Sequence, residues 1–163
     1  MTEENVQDWH FRKNSLRLKG FDYSARRSNF VTIVTEHRQT FFKDKRIAEA
    51  TVEVLMDLRK KYRFNLYSFC LMPDHFHAII GIGDSGMTLG RICGDFKSLS
   101  TKAFWQFYDG KLWQRQFFDH VIRNEIDFLE TIKYIRENPV KANLVSDWKD
   151  WQYTGEPDLE PFY

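Results

Sequence analysis

The sequence predicts an α+β fold of the ferredoxin-like, split βαβ plan: an antiparallel sheet with helices on one face and a further helix toward the C-terminus. Three observations predict it. Apolar, β-branched runs and segments of helical period follow one another in the order strand, helix, strand, strand, helix, strand, helix. Two of the strand runs are separated only by Met72-Pro73-Asp74, a tight turn that makes them a hairpin. The 163 residues, 42% of them hydrophobic, suit one domain over 1–163 with its own core.

Each element has a local reason. Residues 1–27 lack a clear period and carry Arg12, Lys13, Arg17, Lys19, Arg26 and Arg27, so they read as a basic arm that orders on a partner. Asn29 to Thr35, with Phe30, Val31, Ile33 and Val34, is a buried strand. Asp44 offers an N-cap, and Ile47, Ala50, Val54, Leu55 and Leu58 recur at helical spacing up to Arg59-Lys60-Lys61, cations that suit a carboxyl end. Phe64–Leu71 and His75–Ile82 form the hairpin. A loop rich in Gly follows, and then Leu89, Ile92, Phe96, Leu99, Ala103 and Phe104 trace the apolar face of a second helix. Its other positions, among them Arg91, Lys97, Ser98, Thr101 and Lys102, make a polar, basic surface. Leu112 to Ile122 contains a fourth strand, and Glu125 to Asn138 is a third helix in which Ile126, Leu129, Ile132 and Lys133 flank an apolar stripe. Pro139 disfavours the α conformation at Asn138, which places that residue near the helix end. Trp148 and Trp151 are expected to anchor an acidic tail, 146–163.

Charge is distributed unevenly. The net charge is only +1, yet residues 10–63 hold 14 Lys or Arg against 6 Asp or Glu, and residues 124–163 hold 4 against 9. A basic half beside an acidic tail is expected where one face meets phosphates and the other does not. Aromatic residues, 17% of the chain, fill a core and also supply flat faces for unpaired bases. For Trp113 and Phe117, burial competes with base stacking. Cys70 and Cys93 have no C-x-x-C spacing and read as reduced, buried thiols. A zinc site from Cys70, His75, His77 and Cys93 fits no common ligand spacing, and strand parity places Cys70 and His75 on opposite faces. No apolar run approaches 18 residues, so the expectation is a cytoplasmic protein without membrane contact.

Two stretches carry the chemistry. In Met72-Pro-Asp-His-Phe-His77, alternate strand residues share a face, so His75 and His77 stand side by side, about 6.5–7 Å apart at their Cα atoms, with Phe76 turned into the core. Two imidazoles so placed either grip one divalent cation or serve as polar residues on a solvated strand, and the pair alone does not decide. In Tyr134-Ile-Arg-Glu-Asn-Pro-Val-Lys-Ala-Asn-Leu144, Tyr134 and Asn138 lie at i and i+4 on one helical face. They offer a phenol nucleophile and an oxygen ligand. On a helix of this kind Tyr134 can equally be a core residue with its hydroxyl at the rim.

Together these stretches resemble the single-tyrosine HUH transposases, the IS200-like family, and within it the REP-associated tyrosine transposases; the resemblance runs from about Gly20 to Trp151. It implies that the last helix is catalytic and brings Tyr134 over the sheet. It further implies that His75, His77 and Asn138 hold a divalent metal, Mg²⁺ or Mn²⁺ in this family, and that Tyr134 attacks a scissile phosphate, leaving a 5′-phosphotyrosine and a free 3′-hydroxyl. The implied activity is metal-dependent cleavage and rejoining of single-stranded DNA at REP-type hairpins, by a monomer, with a dimer left open. One departure stands out: related transposases have Gln at the i+4 offset from the tyrosine, and Asn138 is one methylene shorter. His120 is the reserve ligand. Arg26, Arg27, Lys97, Lys102 and Arg115 are the candidate phosphate contacts. The rival expectations are a non-catalytic hairpin-binding protein of the same fold and a metal-dependent nuclease that uses water.

Overall fold

A computed structural model describes residues 28–159. The predicted basic arm, with Arg26 and Arg27, therefore lies outside the described residues, as does the end of the tail.

Alternation of side chains along the strands builds two core layers from one sheet. The strands β1 (Ser28–Val34), β2 (Asn65–Met72), β3 (His75–Gly81), β4 (Phe118–Ile122) and β5 (Thr154–Gly155) pair antiparallel in the order β4-β1-β3-β2-β5. The first four follow the ferredoxin-like order, and β5 adds an outer edge beside β2. Helices α1 (Lys45–Tyr62) and α2 (Leu89–Phe104) cover one face, where Val31, Ile33, Leu71, Phe76, Ala78 and Ile80 meet Ile47, Leu55, Ile92 and Phe96. Helix α3 (Glu125–Lys141) covers the other face, where Phe30, Cys70, Met72 and Ile79 meet Phe128, Ile132 and Ile135. None of the described helices is long and apolar enough to cross a membrane.

Local chemistry sets the ends of the helices. Asp44 accepts the backbone N–H of Arg46 to cap α1, Thr88 that of Arg91 to cap α2, and Asn124 that of Asp127 to cap α3. Arg63, in the left-handed region at φ 56°, closes α1.

Several expectations are corrected. Pro139 does not end α3: the helix runs through it to Lys141, and the chain turns only at Asn143, at φ 57°, where Leu144 N–H returns to the Pro139 carbonyl. Asn138 and Pro139 are both buried, and that packing outweighs the local bias against helix before proline. Leu99 is 40% exposed, whereas Ser100 turns inward and accepts the indole N–H of Trp113. Likewise Leu129 is exposed and the buried stripe of α3 is Phe128, Thr131, Ile132 and Ile135. The fourth strand expected within Leu112–Ile122 is found there, as Phe118–Ile122; ahead of it, Trp113 forms an isolated bridge to Thr35.

The tail is strapped to the body. Arg59 grips the Asp158 carboxylate at 2.5 and 2.8 Å, and Arg136 grips Glu156 at 2.6 and 2.8 Å. Trp151 donates its indole N–H to the Leu71 carbonyl, and Arg136 lies over the Trp148 ring.

Candidate active site

The hairpin turn positions the first half of the site. With only Pro73 and Asp74 between β2 and β3, Met72 pairs with His75 and Cys70 with His77. His75 and His77 thus face α3 while Phe76 enters the opposite core layer, as the alternation requires. Their rings lie 4.7 Å apart, centroid to centroid, and both residues are buried.

Helix α3 positions the second half. Tyr134 and Asn138, one turn apart, both reach the paired imidazoles. The Tyr134 ring packs edge-on against His77 at 5.4 Å and against Phe30 at 5.9 Å. The Asn138 side-chain oxygen lies 3.1 Å from His75 Nε2. A shorter side chain than glutamine therefore spans the gap between α3 and β3.

Supporting groups orient both rings. Asp74 Oδ1 lies 2.6 Å from His75 Nδ1, and this hydrogen bond, more than any other influence, holds the Asp74 carboxyl below its ordinary range. An ionised carboxylate only accepts, so Nδ1 carries a proton, and in the neutral ring Nε2 then presents its lone pair toward Asn138. Arg38, at the rim, stands 3.9 Å from the other Asp74 oxygen. Thr32, the register partner of His77 on β1, places its hydroxyl 2.9 Å from His77 Nδ1. Burial, and secondarily the neighbouring His75, push the His77 pKa well below 6.5, so the ring is neutral. Its Nε2 is buried without a hydrogen-bond partner among the described residues.

These donors fit a divalent cation. A buried ring nitrogen with no partner is costly unless something fills the site. The facing lone pairs of His75 Nε2 and Asn138 Oδ1, at 3.1 Å, have the spacing of adjacent ligands on an octahedral ion with bonds of about 2.1 Å. The set is two imidazoles and an amide, and among the described residues no three His, Cys, Asp or Glu side chains converge.

Other candidates fall elsewhere. His120 places Nε2 2.9 Å from an Asp127 carboxylate oxygen in the first turn of α3; this pair tethers the helix to β4 and takes His120 out of the ligand set. Cys70 shares the face of the histidines, contrary to the parity argument, because alternation holds along one strand whereas directly paired residues across a hairpin point the same way. Burial pushes its thiol up to about 12, and Cys93 belongs to the opposite core layer, so the four-residue zinc set does not assemble. Lys97 donates to the carbonyls of Gln114 and Arg115, a structural role and not the free phosphate contact expected of it. Lys102 and Arg115 are exposed, Trp113 is buried and Phe117 packs against the core. The sequence reading missed Thr32 and Asp74 as orienting groups. Asp74 was visible as a carboxylate beside His75, while Thr32 needed the strand register.

Comparison with known proteins gives the same grouping. The family described as IS200-like transposase matches residues 27–138. A REP-associated tyrosine transposase of Escherichia coli is 28% identical over 104 residues, covering 61% of this chain and 59% of its own length. A Haemophilus influenzae protein, provisionally given the same description, is 29% identical over 104 residues, covering 57% of this chain and 59% of its own. The chain thus spans about three-fifths of these relatives. A solved structure of a REP-associated tyrosine transposase bound to a REP hairpin superposes with a TM-score of 0.70 at 21% identity, over 89% of this chain and 82% of that one, and so shares the fold. The chain belongs to the IS200-like transposase family.

Proposed function

We propose that the protein cleaves and rejoins single-stranded DNA at REP-type hairpins by transesterification, with Tyr134 as nucleophile and His75, His77 and Asn138 as the holders of a divalent metal. The observation that carries this reading is the meeting of α3 with β3: Tyr134 against His77 at 5.4 Å, and Asn138 against His75 at 3.1 Å, on one helical turn. A nucleophile and a ligand set from elements distant in sequence address one small volume, as in-line attack on a single phosphate demands.

The residues divide the work. Asp74 and Thr32 fix the two rings so that the Nε2 atoms point inward. Burial keeps His77 neutral and able to bind a cation. A bound Mg²⁺ or Mn²⁺ would supply Lewis-acid stabilisation of charge on the phosphate oxygens. The Tyr134 oxygen attacks phosphorus and loses its proton, the P–O3′ bond breaks, and the 3′-hydroxyl leaves with a proton; a 5′-phosphotyrosine remains. Attack by another 3′-hydroxyl on that linkage reverses the step without an energy cofactor. A free phenol ionises near pH 10 and is a weak nucleophile at neutral pH, which is why it needs the metal centre beside it. The reading places the enzyme in the cytoplasm, where its DNA is, acting as a monomer because all four groups come from one chain.

The test is incubation with a labelled hairpin oligonucleotide and Mn²⁺ followed by a denaturing gel. A covalent protein–DNA adduct is expected. A shift under native conditions with no adduct supports the non-catalytic binder, and cleavage without an adduct supports a water-using nuclease.

A further inference from the structure

A second feature lies outside the Tyr134 site. Between the C-terminal half of α2 and the segment before β4 is a cavity of about 360 Å³, at the small end of the range for ligand sites, about 300–1,000 Å³. Its lining includes Lys102, Lys111, Arg115 and Trp105 and no carboxylate. Lys111 has a partner, Glu36, at 3.6 Å. Lys102 and Arg115 form no ion pair among the described residues. Trp105 is 56% exposed; its indole N–H is spent on the Gly110 carbonyl, which fixes the ring, and no other ring stacks on it among the described residues. Lys97 crosses the cavity wall to the Gln114 and Arg115 carbonyls and holds the wall in place. That wall is tied to the sheet, since Gln114 N–H donates to the Val34 carbonyl at the end of β1, and it lies on the α2 side, the face opposite α3.

We propose that this cavity binds one unpaired nucleotide of the DNA substrate, with the base stacked on Trp105 and its phosphates against Lys102 and Arg115. A fixed, exposed indole stacks on a base whose face is free, which the stacked interior of a duplex does not offer, and an acid-free wall with two cations that form no ion pair among the described residues suits the flanking phosphates. The assignment rests on DNA being the substrate but not on Tyr134 chemistry.

The experiment measures binding without metal, in EDTA, of a DNA hairpin carrying an unpaired dT₅ extension on either end, against the same hairpin blunt. Wild type is expected to bind one extended hairpin more tightly. Trp105→Ala is expected to weaken that complex about 5- to 150-fold, the range spanned by loss of one base stack, and to leave the blunt hairpin unchanged, with Trp105→Phe restoring most of the loss. Lys102→Gln with Arg115→Gln is expected to lower the salt dependence for the extended hairpin only. No preference for an extension in the wild type, or equal effects of Trp105→Ala on both hairpins, or none on either, would overturn the proposal. Adduct formation by the same proteins at saturating DNA is read separately: extension-dependent binding without any adduct retains the nucleotide site and discards the strand-transfer chemistry.

Discussion

Asn138 Oδ1 and His75 Nε2, contributed by residues 63 apart in sequence, face each other at 3.1 Å across the gap between α3 and β3. With the Nδ1 proton of a neutral His75 directed to Asp74, Nε2 and Oδ1 present two lone pairs that the proposed cation would bridge. Asn138→Ala removes one oxygen and leaves Tyr134 in place. The Mn²⁺ concentration for half-maximal adduct formation should rise by at least about 10-fold, since loss even of an outer partner of a ligand typically costs about 10- to 100-fold in affinity. An unchanged metal titration would remove Asn138 from the ligand set.

Asp74 touches no substrate in this scheme and acts through His75. In Asp74→Asn the side chain can turn either an N–H or an oxygen toward Nδ1, so the preference for the tautomer with its Nε2 lone pair inward weakens. About 10- to 100-fold weaker Mn²⁺ binding is expected by calorimetry, with adduct formation recovering at high Mn²⁺. A loss that excess metal does not rescue would point instead to Asp74 handling the DNA, together with its rim neighbour Arg38.

Tyr134→Phe separates position from chemistry. The ring contacts to His77 and Phe30 need no hydroxyl, so packing should survive. Hairpin binding is expected to stay within about 2-fold of wild type while the adduct disappears, a loss of the kind expected when the only nucleophile is removed. Persistent adduct, located by peptide mapping, would identify a different nucleophile.

The paired histidines and the Tyr134–Asn138 offset were legible because both depend on period alone: two along a strand, 3.6 along a helix. What period cannot supply is which elements face each other. Cys70 was misplaced because its face is set by the hairpin register, and Thr32 was missed because its link to His77 exists only once β1 lies beside β3. Pro139 read as a stop from local sterics, yet packing against the sheet carries α3 past it. Leu99 and Ser100 exchanged places for a similar reason: apolar character suggested the inward position for Leu99, but the buried Trp113 indole needed an acceptor, and Ser100 supplies it. Lys97 looked like surface charge until the carbonyls of a distant segment were placed over it.

The acidic tail gives a stability prediction whose sign is fixed. Asp158 accepts two bonds from Arg59 and one from the Leu66 N–H, and the first of these partners chiefly lowers its pKa from the ordinary 3.8. A carboxylate with a lowered folded-state pKa binds fewer protons folded than unfolded, so its contribution is fully present above about pH 3.8 and is lost as pH falls through the lower folded value. The pair is partly solvated, with side chains 24% and 21% exposed, which holds the expected effect to about 1 kcal/mol. For a chain of 163 residues that corresponds to a fall in Tm of about 2–4 °C for Asp158→Asn near neutral pH. The gap between the melting curves of wild type and variant should narrow as pH falls below 3.8 toward the lower folded value, and a gap that widens with acid would show that Asp158 holds the tail by something other than its charge.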